Sequence, residues 1–174
     1  MFSNGYFLLS IVLAGVGFLV QRILISKMKK YGGTPLSRAM SGKQIAESML
    51  QYYNIRGVQV VEGQGMLTDH YNPANKTVTL SPEVFRGQSI MSAAVAAHEC
   101  GHAVQHDQAY SMLQLRSKLV PAVQIASSGL QWLMLISFML ANRFPQLLLL
   151  TIGLFALTTI FSLITLPVEF DASA

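Results

Sequence analysis

The sequence predicts a small α+β domain joined to three membrane-spanning helices. Three observations carry this reading. Apolar runs long enough to cross a bilayer stand at both ends of the chain. The polar stretch between them changes from a helical hydrophobic period to an alternating one. The composition lies outside the range of soluble domains: of 174 residues, 52% are hydrophobic and 11% charged, against about 25% charged in an ordinary globular domain.

The first run, Tyr6 to Ile25, is broken by amide or charged side chains only at Gln21 and Arg22 and approaches the roughly 20 residues a bilayer requires. A cleaved signal peptide would carry positive charge ahead of its apolar run. Met1 to Gly5 has none, so residues 1–26 are expected to form a retained anchor. Six of the twelve Lys and Arg residues fall between Arg22 and Lys43, where no acid occurs. By the positive-inside rule, Lys27, Lys29, Lys30 and Arg38 hold the following segment in the cytoplasm and send the N-terminus outward. The net charge of +4 is thereby a membrane-topology signal, and no nucleic-acid surface is expected.

Residues 27–118 form the only stretch polar enough for a cytoplasmic domain. Lys43 to Tyr53 places Ile45, Met49, Leu50 and Tyr53 at helical spacing, and Asn54 and Gly57 end it. Val58 to Val61, Met66 to Tyr71 and Lys76 to Ser81 read as short strands, with a hairpin turn at Asn72-Pro73-Ala74-Asn75. Pro82 closes the strand region, and a helix begins in the high eighties with Ser89 or Ser92 as its cap. Residues 119–166 read as a transmembrane hairpin. Leu119 to Leu140 contains Pro121, Gln124, Gln131 and Ser127-Ser128-Gly129, the marks of a helix packed on others. Leu147 to Leu166 carries no charge at all, and Asn142 to Gln146 connects the two tightly. Neither span holds an ionisable residue to mark a pathway, which speaks against a channel or transporter. Residues 167–174 follow as a short C-terminal segment.

The chemistry is concentrated in His98-Glu99-Cys100-Gly101-His102, an H-E-x-x-H sequence preceded by the helix-forming Met91 to Ala97. Histidines at i and i+4 project from one helix face and can reach a single Zn²⁺, while the intervening glutamate sits beside the water to be activated. The bland alternative is a buried helix with two satisfied histidines. Three polar groups in an apolar helix would then need partners, at a cost of roughly 1–3 kcal/mol for each one left without, and a metal removes that cost. Cys100 lies on another side of the helix and reads as packing. As the chain's single cysteine, it excludes an internal disulfide framework.

A catalytic zinc takes three protein ligands and leaves a position for water. His106 lies eight residues after His98, about 12 Å along a continuous helix, too far to share one ion. The glycine that breaks such a helix in H-E-x-x-H-x-x-G-x-x-H enzymes is Gln105 here, so His106 reads as a polar residue of the helix end. The remaining candidates are Asp69, His70, Asp107, Glu169 and Asp171. Glu169 is best placed, because two spans separate it from the zinc helix and return it to the same membrane surface. Without the upstream motif, Glu169-Phe170-Asp171 would be an ordinary polar cap on a transmembrane helix.

These residues resemble the bacterial YugP-type membrane zinc metallopeptidases over nearly the whole chain. The matching segments are Gly65 to Pro73, Asn75 to Ser81, Ala94 to His106, Leu115-Arg116-Ser117 with Leu119-Val120-Pro121, and Thr165 to Ser173. The resemblance implies a zinc-dependent membrane peptidase with Glu169 as third ligand. The Glu-Phe-x-Ala portion is also similar to membrane gluzincins that place an Asp four residues after the metal-binding Glu. Here that position is Ser173, leaving Asp171 as the substitute. Family members continue into a further helix and span, whereas this chain stops three residues after Asp171. The expectation is a shortened product whose last ligand lies near a frayed terminus.

The expected protein is a three-span resident of the bacterial inner membrane with a zincin-like domain on the cytoplasmic face. It hydrolyses peptide or protein substrates as an endopeptidase. His98, His102 and Glu169 hold Zn²⁺, Glu99 is the general base, and His70 or Tyr71 supplies an oxyanion donor or only stabilises the hairpin. The strand Lys76 to Ser81 is expected to be the exposed edge that pairs with extended substrate. The rival reading is a membrane scaffold or partner-binding protein with a structural or inactive zinc site.

Overall fold

The structure is a computed structural model and describes residues 4–140 and 143–174. The elements run α1 (Asn4–Gly32), α2 (Gly42–Tyr52), β1 (Gln59–Glu62), β2 (His70–Asn72), β3 (Thr77–Leu80), α3 (Pro82–Arg86), α4 (Ile90–Asp107), α5 (Ser111–Met139) and α6 (Pro145–Ala172). Three stretches are helical, long and apolar enough to cross a membrane: Ile11–Gly32, Ser111–Met139 and Pro145–Ala172. The protein is thus an α+β unit combined with membrane-length helices. Of the connection expected at Asn142 to Gln146, Asn142 lies outside the described residues. Phe144 N–H bonds the Leu140 carbonyl at 2.8 Å, and α6 opens at once on Pro145, whose missing N–H costs nothing at a helix start.

Local chemistry sets most boundaries. Ser41 caps α2 through a reciprocal pair: its hydroxyl accepts from Gln44 N–H at 3.3 Å, and its own N–H donates to Gln44 Oε1 at 2.9 Å. Of the two serines expected to cap the zinc helix, Ser89 does so, accepting from Ser92 N–H at 3.1 Å. Asn54 and Gly57 sit at positive φ just past α2, as its end required.

The three strands form one sheet in the order β1-β3-β2, with β1 parallel and β2 antiparallel to β3. The Asn72–Asn75 turn joins β2 to β3 as expected. Two expectations need correction. The strand expected over Met66 to Tyr71 shrinks to His70–Asn72, because Gly65 and Leu67 adopt positive φ and turn the chain ahead of it. The strand expected as the exposed edge, β3, is the central one. β1 occupies its second side by a parallel pairing that hairpin logic does not reach, and the edges are β1 and β2.

The core gathers Ala46 and Leu50 of α2, Val78 and Leu80 of β3, Val84 of α3, and Ala96, Cys100 and Ala103 of α4. Val78 and Leu80 are wholly buried, each contributing roughly 1.5–3 kcal/mol. Alternation on β3 therefore aims its inner face at the core helices, among them α4, which carries the motif. Cys100 packs here as expected, and burial pushes its thiol up to about 12, which keeps it protonated and inert. The end of α1 is tied to the start of α4 by two backbone bonds, Leu36 N–H to Gln88 O at 2.8 Å and Ile90 N–H to Thr34 O at 3.0 Å. In the hairpin of α5 and α6, buried Ser137 and Thr151 hydrogen-bond each other at 2.7 Å, fixing the register of two otherwise apolar helices.

Candidate metal centre

The i, i+4 spacing on α4 brings His98 and His102 to one face, with ring centroids 4.9 Å apart. The last turn of α6 lies across that face. Glu169 Oε2 is 3.2 Å from His98 Nε2 and 3.6 Å from His102 Nε2, and the ligand-capable atoms of all three residues lie within 4.8 Å of one another. Gly101 permits this approach. A Cβ at that position would land on the Ala172 carbonyl of α6, so any side chain there forces the two helices apart.

Hydrogen bonds on the far side of each ring decide which nitrogen faces Glu169. Ser173 Oγ donates to the Glu169 carbonyl at 2.9 Å and so can only accept from His98 Nδ1, also 2.9 Å away. Gln105 Nε2 donates to the Asp171 carboxylate at 2.7 Å and to the Val168 carbonyl at 2.9 Å, which leaves its Oε1 to accept from His102 Nδ1 at 3.0 Å. With both rings neutral, the protons therefore sit on Nδ1, and both Nε2 lone pairs point at the carboxylate. Three lone pairs converging with no proton between them repel unless a cation joins them. The donor set of two imidazoles and one carboxylate suits Zn²⁺. Burial lowers the His102 pKa, partly opposed by Gln105 and Glu169, and so favours the neutral ring that a metal ligand must present.

The second carboxylate oxygen is held separately: Arg116 Nη2 on α5 meets Glu169 Oε1 at 3.2 Å. Glu99 is buried beside the cluster. Burial raises its pKa; His98 and a hydrogen bond from the Tyr71 N–H oppose the rise, while Asp69 and Glu169 add to it. Next to His102 lies a cavity of about 260 Å³ lined by Tyr71, Pro73, Leu113, Arg116 and Val120 among others.

The chain matches, over residues 6–174, the family described as "Putative neutral zinc metallopeptidase". The chain belongs to this family. It is also 39% identical over 169 residues to the "Putative membrane protease YugP" of Bacillus subtilis (strain 168), an alignment covering 97% of this chain and 74% of that relative. No solved structure matches it significantly. A member of this metallopeptidase family with three membrane-length helices is a membrane protein in which zinc is the implied metal.

Set against this family chemistry, the other candidate residues have different places. His106 stays on continuous α4 and bonds the Tyr71 hydroxyl through Nδ1 at 2.7 Å, as the 12 Å argument required. Asp69 accepts from the backbone and hydroxyl of Ser81 at 2.7 and 3.1 Å and ties down the loop ahead of β2. His70 is exposed and bonds the Thr68 carbonyl through Nδ1 at 2.7 Å. Among the described residues, only His98, His102 and Glu169 form a metal-capable cluster. Asp171, expected to replace a carboxylate at position 173, reaches the histidines only through Gln105, and Ser173 serves His98 directly. Sequence reasoning missed Gln105, Ser173 and Arg116 as supports. Gln105 was legible, since it stands at i+3 from His102 on the same helix face. For Arg116 no local signal exists.

Proposed function

We propose that the protein is a zinc-dependent endopeptidase of the bacterial inner membrane, with residues 27–118 as its cytoplasmic catalytic unit between the anchor of residues 1–26 and the hairpin of residues 119–166. The observation that carries the reading is the convergence of His98 Nε2, His102 Nε2 and Glu169 Oε2 beside a buried acid that is not one of the three. Zn²⁺ held by these residues supplies Lewis-acid polarisation of a water and of the substrate carbonyl. Glu99, its pKa raised by burial, accepts the water proton and passes it to the leaving amine. Arg116 holds Glu169 Oε1, and Oε2 is the oxygen that lies beside both Nε2 atoms. An extended substrate finds the edge of β2 beside the site, where the Tyr71 N–H already meets Glu99.

Two expected results test this directly. Purified protein should hold about one zinc per chain, and His98→Ala should lose it as read by metal analysis. Zinc content unchanged in that variant places the metal elsewhere. For orientation, a cysteine replacing Arg143 should react with an impermeant thiol reagent from the periplasm of intact cells, and one replacing exposed Arg56 should be protected. Native Cys100 is fully buried and gives no background. The reverse labelling pattern overturns the cytoplasmic assignment while leaving the ligands on one side.

A further inference from the structure

The metal-capable cluster stands where the uncharged runs of two membrane-length helices, α5 and α6, begin and end. On α6 the uncharged run reaches Val168, and Glu169 follows it directly. On α5 the run opens at Leu119, about 4.5 Å along the axis beyond Arg116 at 1.5 Å per residue, and Arg116 binds Glu169. Between Lys118 and Glu169 the only charge is Arg143, in the connection at the opposite end. The cavity beside His102 shares this position, because Leu113, Arg116, Ser117 and Val120 recur at the +3, +4 and +7 spacing of one helix face. One wall of the cavity is therefore a single face of α5 that continues into its uncharged run.

A third feature lies at the basic end of α1. Met66 and Leu67 are each 72% exposed in the loop before β2, and they share a groove with Ile25, Met28 and Lys29 of α1. Those α1 residues are where the first span meets its basic end. Asp69, bonded to Ser81, holds the loop in place, and Leu67 is kept at φ 56, a conformation that side chains other than glycine resist. Two apolar side chains are thus exposed beside the basic end of the first membrane-length helix, a place suited to contact with a lipid interface.

We infer that the substrate is a polypeptide already lying at the membrane surface, the juxtamembrane stretch of a membrane-anchored chain, and not a segment of a freely soluble protein. A soluble partner would have to bring its scissile bond down to the headgroup layer, stripping water from polar groups on the way. A juxtamembrane segment is at that depth before binding, and its anchor confines it to the plane of the site, which raises its effective concentration. The inference rests on the zinc-peptidase reading.

The test uses the full-length, zinc-loaded protein in lipid nanodiscs and one randomised ten-residue library presented in three forms. These are fused close to a single transmembrane helix, fused to the same helix through a long Gly/Ser linker, and free in solution. Cleavage read by mass spectrometry should be at least about 10-fold faster for the close fusion than for the other two. Zinc-dependent cleavage that ignores presentation overturns the inference and leaves the peptidase standing. Cleavage of no form overturns both. A readout independent of turnover comes from p-benzoylphenylalanine placed at Ser117 in the Glu99→Gln protein. It should photo-crosslink the close fusion in preference to the free library, and equal or absent crosslinking overturns the inference by itself.

Discussion

Glu99→Gln is expected to leave zinc bound and to lower peptide hydrolysis by roughly 10²–10⁴-fold, the range a positioned general base contributes. Gln keeps the length and shape of the side chain and can still accept from the Tyr71 N–H, so the fold around it should hold. What it loses is the capacity to take a proton. Glu99 lies outside the cluster of His98, His102 and Glu169, and this is why metal content should not follow activity. Glu169→Gln is the contrasting variant. It replaces an ionised oxygen beside both Nε2 atoms with a neutral amide, a poorer zinc ligand, and should weaken metal retention first. Metal analysis with a hydrolysis assay on the same preparations separates the two. Full activity in Glu99→Gln would sink the proposed mechanism, and a parent protein with full zinc that cleaves nothing would favour the scaffold reading.

Gly101→Ala should weaken zinc binding by about 10–100-fold, the usual consequence of disturbing what supports a metal ligand, although residue 101 touches no metal. Alanine inside a helix is worth roughly 0.5–1 kcal/mol over glycine, so α4 alone would gain stability. The added methyl lands instead on the Ala172 carbonyl and drives the end of α6 away from α4. Glu169 and Ser173 flank Ala172, so the carboxylate and the hydroxyl that orients His98 move together. Competition against a chelator measures the change, with circular dichroism reporting whether helix content has stayed constant or risen. Unaltered zinc affinity would show that the α4–α6 approach is not what places Glu169.

The legible parts of the protein were those written in local periodicity. The span at residues 147–166, the helical spacing over Lys43 to Tyr53 and the paired histidines all announce themselves within a few helical turns, because apolar spacing acts over that range. Glu169 became readable by a counting argument, since two crossings return the chain to the side it left. Interactions joining distant segments were not readable. Arg116 and Glu169 are more than fifty residues apart with a full hairpin between them, and β1 pairs with β3 across an intervening strand. The edge assigned to β3 failed for that reason. Alternation reports which face of a strand is buried and is silent about its neighbours. The orientation of His98 was half legible: the position of Ser173 was noted for the acid it lacks, while the hydroxyl it offers is what the histidine uses.

The three candidate ligands arrive at very different times. Synthesis runs from the N-terminus at roughly 5–20 residues per second, and domains fold as they emerge. A chain that has released α4 holds two histidines facing an empty quarter, and it stays so while both arms of the hairpin enter the bilayer. Only when α6 has returned does the carboxylate reach them. Completion of the metal centre is therefore a report that the last of these spans has been inserted in the right direction, and a copy whose hairpin stalls or flips is left with Glu169 on the wrong side of the membrane. For the peptidase proposed above, this order means that the metal centre is incomplete until insertion has finished.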